Sequence, residues 1–155
     1  MPDPIDFIGR YDHTLDSKNR LMVPQAFRDM VKQSEKSVKF YLNLGFEKCV
    51  SMYTPGTWRE MVALLKTRKA DELSQKKMRK FLRLFYSRTV SLTPDKAGRI
   101  VIPERLKVDA GLQRKVVLIG VSDRIEIWDA ERWSHFSEGE EGEYEQSVSE
   151  IFRGV

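Results

Sequence analysis

Two arginines close short turns of the same make: Asp16-Ser17-Lys18-Asn19-Arg20 and Asp95-Lys96-Ala97-Gly98-Arg99. A guanidinium carries five N–H donors in a rigid fork. It can pair with a carboxylate, or bond O6 and N7 of a guanine in the major groove. The aspartate four residues earlier offers the first kind of partner. An exposed ion pair contributes only ~0–1 kcal/mol, whereas a bidentate guanine contact discriminates by ~1–3 kcal/mol against a wrong base. Spacing alone leaves both roles open. They are compatible, because an aspartate that holds the fork also orients it.

The turns themselves are specific. Asp16 and Asp95 suit the first position of a type I turn, where the carboxylate bonds backbone N–H groups two or three residues on. The fourth position is Asn19 in one copy and Gly98 in the other, the residue types that best tolerate positive φ. A type I turn closed by a left-handed residue at a bulge is a favoured hairpin loop, and the bulge aims the next side chain, Arg20 or Arg99.

Tyr11, His13 and Leu15 alternate with Asp12 and Thr14 as in a half-buried strand. An apolar run, Leu21-Met22-Val23, follows the first turn. The second copy repeats this with Val90 and Leu92 before its turn and Ile100-Val101-Ile102 after it. Each copy is therefore expected to be a β-hairpin built around its turn. Asp, Arg and Pro recur at an offset of 79, and Gly45 and Trp58 recur as Gly120 and Trp133 at an offset of 75. An internal repeat of two copies points to one pseudo-symmetric unit rather than a solenoid.

Pro24 and Pro103 end the strands and suit the first turn of a helix. Val38 to Phe46 and Val116 to Val121 read as strands, with returning strands at Val50–Tyr53 and Ile125–Trp128. Thr54-Pro55 and Asp129-Ala130 read as the cap and first turn of further helices. Trp58, Met61, Val62 and Leu65 form one apolar stripe. Ser74 to Tyr86 has no counterpart after the second copy. Met78, Phe81, Leu82 and Phe85 give it an apolar face, while Lys76, Lys77, Arg79, Lys80 and Arg83 cover the rest. It is expected to pack one half against the other with its cations outward. Glu138 to Glu145 is acidic and interrupted by glycines, which predicts a mobile segment, with Val148, Ile151 and Phe152 in a short docking helix. The divisions are 7–57 for the first repeat, 58–84 for a helical connection, 85–132 for the second repeat and 133–155 for an acidic tail.

The net charge of +4 conceals an asymmetry. Residues 129–155 carry two basic and eight acidic groups, so the remaining 128 residues carry 25 basic and 15 acidic groups, a net of +10. A basic body suits a polyanionic partner. No apolar run approaches the ~20 residues of a membrane span, and Met1 to Asp6 lacks the basic region and apolar core of a signal peptide. Cys49 is the only cysteine, so no disulfide can form within the chain, which fits a cytoplasmic protein. His13, His135 and Cys49 have no partners at metal-ligand or nucleophile spacing. Trp58 and Trp133 read as core anchors. With no glycine-rich phosphate loop either, neither an enzyme nor a cofactor is expected.

The paired Asp-x-x-x-Arg turns, each followed by an apolar run and Pro, together with Arg124-Ile125-Glu126-Ile127-Trp128-Asp129, resemble the MraZ family over roughly residues 7–135. That resemblance implies a mainly β, α+β fold: two repeats related to AbrB and SpoVT, forming a pseudo-symmetric swapped-hairpin β-barrel. It further implies subunits assembled in a ring, and a nucleoid-associated transcriptional regulator, usually a repressor. Such a regulator binds short G-rich direct repeats of double-stranded DNA upstream of its own division and cell-wall operon. The family's DNA-contacting arginines fall on Arg20 and Arg99. Lys18 and Lys96 stand beside them as phosphate contacts, and Arg10 and Arg28 are weaker electrostatic candidates. Family members often carry Gly at the position of Asn19, a departure that could make the two sites unequal.

A second reading, also open at this stage, is a protein-interaction adaptor of the antitoxin kind that acts through its acidic tail. A third is a peripheral membrane protein that lies on anionic lipid through Ser74 to Tyr86.

Overall fold

The structure, a computed structural model, describes residues 4–68 and 75–155. The first half contributes β1 (Arg10–Thr14), β2 (Arg20–Met22), α1 (Gln25–Ser34), β3 (Phe40–Leu44), β4 (Val50–Tyr53) and α2 (Pro55–Arg68). A helix without counterpart, α3 (Gln75–Ser87), leads to β5 (Val90–Leu92), β6 (Arg99–Val101), α4 (Glu104–Asp109), β7 (Lys115–Gly120), β8 (Ile125–Asp129) and α5 (Ala130–Ile151). The mixed α+β class expected from the sequence is present, but it is not mainly β: among the described residues the helices hold more of the chain than the short strands do, because α2, α3 and α5 are long. Ser74 lies outside the described residues.

The strands do not pair as two local hairpins. Six of them form one antiparallel sheet in the order β1-β7-β8-β4-β3-β5, and β2 pairs with β6 in a separate two-stranded ribbon. The first strand of each half thus extends the other half's sheet: β1 lies on β7, with His13 opposite Val116, and β5 lies on β3, with Val90 opposite Leu42. This corrects the expectation that each copy is a self-paired hairpin. Each turn is closed locally, by Asp16 N–H to Arg20 O and Asn19 N–H to Asp16 O, with the matching pair at Asp95, Gly98 and Arg99. Beyond the closure the arms part: Leu15 N–H donates to Arg114 O and Val23 N–H to Gly98 O. The bulge adds local twist, and the apolar residues of each arm are buried only against the other half. The sheet's edges are β1 and β5, and no pairing among the described residues closes it into a barrel.

One core serves both halves. Leu21, Val23, Phe27 and Val31 are buried, as are Ile100, Ile102, Leu106 and Ala110 at the offset of 79, and all belong to a single cluster with Phe40, Leu42, Leu118 and Ile127. The centre of the pseudo-symmetry is the β4–β8 pairing, where Ser51 lies opposite Glu126. Arg132 ties the halves again from α5: its guanidinium donates to Ala110 O at the end of α4 and to Glu47 O and Lys48 O in the β3–β4 loop, at 2.8–3.1 Å. Trp58 stacks between Tyr41 and Phe85, and Trp133 packs edge-on against Trp128, so both tryptophans anchor packing as expected. The ring contacts of α3 run to α2 rather than to the second half, while Phe81 and Leu84 remain exposed.

The acidic stretch is not irregular. Residues 138–145 lie inside α5, started by the Asp129 carboxylate, which accepts Arg132 N–H at 3.3 Å. Glutamate is a good helix former, and Ser134–Glu138 and Gln146–Glu150 side-chain bonds brace the helix at i,i+4. Val148, Ile151 and Phe152 continue the same helix and its end; all three are exposed, so no separate docking helix forms.

The repeated glycine has a steric cause. A Cβ on Gly120 would fall inside contact distance of the main chain of Phe7 and Ile8, where the N-terminal segment crosses β7. Gly120→Ala is therefore expected to displace that segment, draw Phe7 out of the core and cost about 2–4 kcal/mol. Gly139 and Gly142 on α5 have open space around them, so alanine there is expected to stabilise by about 0.5–1 kcal/mol. Urea unfolding followed by circular dichroism separates the two outcomes.

Candidate nucleic-acid interface

The turns that carry Arg20 and Arg99 adopt the expected conformation. Asn19 and Gly98 have φ of 60° and 87°, and each turn is capped by its aspartate in the same way. Asp16 Oδ1 accepts Lys18 N–H and Arg20 N–H at 2.9 Å each, and Oδ2 accepts Arg20 Nε at 2.6 Å. Asp95 repeats this with Ala97 N–H, Arg99 N–H and Arg99 Nε at 2.9, 3.0 and 3.0 Å.

The β2–β6 ribbon brings the two turns together. Arg20 lies opposite Val101, Leu21 opposite Ile100 and Met22 opposite Arg99. Side chains alternate along a strand, and opposite residues share a face. Arg20, Met22, Arg99 and Val101 therefore occupy one face, while Leu21 and Ile100, both buried, form the other. The arginines sit at diagonal corners of the outer face, about 8 Å apart between Cα atoms by strand geometry. Their side chains are 33% and 36% exposed. The aspartate holds each guanidinium through Nε alone, and among the described residues neither Nη group of either arginine has a hydrogen-bond partner. Both readings of the spacing thus meet in one geometry: the ion pair forms, and it leaves the two-pronged end of the fork open.

The carboxylates are held below the usual range. The backbone N–H of Arg20 is the main cause at Asp16, opposed by some desolvation and reinforced by the Arg20 side chain; Arg99 plays the same part at Asp95. A depressed native value means the capped turn gains stability from ionisation that is present in full above the ordinary 3.8 and is lost as pH falls below it. Thermal melting is expected to be flat from neutral pH down to about 5 and to fall in acid below about 4. Asp16→Asn combined with Asp95→Asn should flatten the acid limb; an unchanged limb would assign it to other carboxylates.

The remaining site candidates are not equally placed. Lys18 and Lys96 are exposed at the turn tips, in different slots: second after Asp16, first after Asp95. Arg28, on α1 of the first half, reaches the second turn. Its Nε donates to Val23 O at 3.0 Å, and its guanidinium lies where a side chain on Gly98 would be. Arg10 is not brought to the ribbon. It stands at the far end of β1, about 13 Å of strand from Thr14, paired with Asp12 at 3.2 Å. Two residues near the first turn escaped the sequence reading: Asn19 Nδ2 donates to Glu104 Oε2 at 2.8 Å, and Lys107 Nζ donates to Asn19 Oδ1 at 3.0 Å. The signal for Lys107 was available, because it stands 79 residues after Arg28.

Cys49 is buried, and burial pushes its thiol up to about 12, far from a nucleophile. The described residues hold no group of three or more His, Cys, Asp or Glu that could bind a metal ion, and no helix long and apolar enough to cross a membrane.

A family model matches the chain twice, over residues 7–84 and 85–152, and its description reads "MraZ protein, putative antitoxin-like". The two matched spans carry one Asp-x-x-x-Arg turn each and together take in all but the ends of the sequence. The chain belongs to the MraZ family.

Proposed function

We propose that this protein is a sequence-specific DNA-binding transcriptional regulator, most simply a repressor, that binds short G-rich direct repeats upstream of its own operon. The observation that carries this reading is the ribbon: two arginines on one exposed face, each fixed through Nε and open at Nη. A two-stranded ribbon is narrow enough for the major groove. An arginine already held in place loses less side-chain freedom on binding than a free one. Lys18 and Lys96 would contact phosphates at the rims, which positions the ribbon without specifying sequence. Subunits assembled in a ring, as the family resemblance implies, would engage successive repeats and gain from effective concentration. In this reading the exchanged strands and the ribbon form the swapped-hairpin unit of AbrB-type proteins, and the three boundaries at 57, 84 and 132 separate repeats, connection and tail.

The test is fluorescence anisotropy on a duplex from the chain's own upstream region and on a scrambled duplex, over a salt series. The expected result is tighter binding to the first, with a steep salt slope. Equal weak binding to both would leave only a basic surface.

One observation favours a second reading, the adaptor. The exposed Tyr144, Val148, Ile151 and Phe152 form an apolar edge on the acidic α5, and the family description includes the term antitoxin-like. Deleting residues 138–155 separates the two: a DNA regulator keeps or gains DNA affinity as like charge is removed, while an adaptor loses its partner.

A further inference from the structure

The two ends of the ribbon differ in what flanks them, and the difference is built across the halves. Beside the second turn lies an open groove of about 280 Å³ bordered by Arg28, Lys32 and Lys96, with the Thr93 and Ser37 residues between. Arg28 and Lys32 stand at i,i+4 on α1, where like charges repel. Among the described residues no carboxylate pairs with either of them. Asp95, the acid bordering this groove, is consumed by Ala97 N–H, Arg99 N–H and Arg99 Nε. Among the described residues Lys32 and Lys96 have no partner, and Arg28 bonds only through Nε. Three cations therefore converge on one groove whose single lining carboxylate, Asp95, is already engaged by its own turn and Arg99.

Beside the first turn lies the equivalent groove, about 530 Å³, with Lys107 in the place of Arg28 and Ser17 in the place of Lys96. Here two cations border the groove, and Lys107 is spoken for: it is bonded to Asn19, and Asn19 in turn to the Glu104 carboxylate. That leaves Arg114 as the one cation there without a side-chain partner among the described residues, against three cations at the second groove. The residue type at the left-handed slot decides this. Gly98 leaves room for the Arg28 guanidinium to lie on the turn; Asn19 fills that room and ties the neighbouring lysine and glutamate to itself.

We propose that Arg28, Lys32 and Lys96 form a seat for backbone phosphates of DNA beside Arg99, and that this end of the ribbon grips DNA more strongly than the Arg20 end. The proposal rests on the DNA-binding reading above and adds to it a site and an asymmetry. Phosphate held here fixes the register of the ribbon in the groove, and Arg99 is then the arginine whose approach to a base is best constrained.

The test measures affinity and salt slope on a duplex carrying one repeat from the chain's own upstream region, with circular dichroism confirming that each variant folds. Lys32→Ala and Lys96→Ala are each expected to weaken binding about 3–10-fold near 0.1 M salt and to lower the slope of log K against log salt by about 0.9. Lys107→Ala and Arg114→Ala, at the other groove, are expected to change affinity less than about twofold and the slope by less than half as much. Equal losses at the two grooves overturn the asymmetry. Unchanged slopes in Lys32→Ala and Lys96→Ala, with Arg99→Ala still abolishing specific binding, overturn the seat and leave the DNA reading standing. Arg20→Ala and Arg99→Ala both without effect overturn the reading and the seat together.

Discussion

Arg99→Ala is expected to weaken binding to the cognate duplex by about 10–100-fold, as loss of one bidentate base contact implies, while the unfolding midpoint barely moves. Arg20→Ala should act in the same direction. The small stability effect follows from position. The polar contact each arginine side chain makes to the fold is one partly exposed pair with its aspartate, and such pairs carry at most about 1 kcal/mol. The backbone bonds that close the turn survive truncation, because Asp95 still caps Ala97 N–H and Arg99 N–H. Arg99→Lys is the sharper variant. It keeps the charge and the phosphate attraction but lacks the fork, so binding to the scrambled duplex should persist while preference for the cognate sequence collapses. The opposite pattern, with lower stability and unchanged affinity, would assign the two Asp–Arg pairs to the fold alone.

How much of this could be read from the sequence depended on the range of the interaction. The turns were legible because their chemistry is local: an aspartate, a left-handed slot filled by Asn19 or Gly98, and an arginine at the bulge. The helix starts at Thr54-Pro55 and Asp129-Ala130 were legible for the same reason. Which strand lies on which was not. The alternation in β1 and β5 says that one face is buried but not against what, and the turn closes identically whether its arms pair with each other or part. The exchange of strands follows from burying Leu21 and Ile100 against each other, a contact between residues 79 apart in sequence. In the acidic stretch capping outweighs composition. With Asp129 starting the helix and glutamates filling it, two exposed glycines do not suffice to break it. At the site, the sequence marks Arg28 by its charge alone. Its position over Gly98, and the pairing of Lys107 with Asn19, required knowing that α1 of one half meets the turn of the other.

The floor of the ribbon should be as sensitive for folding as its outer face is for binding. Leu21 and Ile100 lie opposite each other, fully buried, in a ribbon only three residue pairs long. Leu21→Ala and Ile100→Ala are each expected to cost about 2–4 kcal/mol, the transfer loss plus the cavity, because neighbours held by two halves of the chain have little freedom to collapse. That is a large part of the stability of a domain this size. Residues in direct contact do not contribute independently, so the double variant should depart from the sum of the singles by 0.5 kcal/mol or more. Measured by urea at one fixed protein concentration, since association would otherwise shift the midpoint, each variant should still unfold in a single transition. A shared core allows nothing else: β1 and β5 leave their own halves, and α1 and α4 bury Phe27 and Leu106 in the same cluster. Two separated transitions would mean that the halves fold alone and that the exchange of strands is not what joins them. Ile100→Val, which removes one methylene and leaves the ribbon's floor in place, should cost only about 0.5–1.5 kcal/mol and leave DNA affinity unchanged. Ile100→Ala, by loosening the strand that aims Arg99, should lower that affinity even where the protein remains folded. That difference between two variants of one buried side chain ties the packing beneath the ribbon to the reading above it.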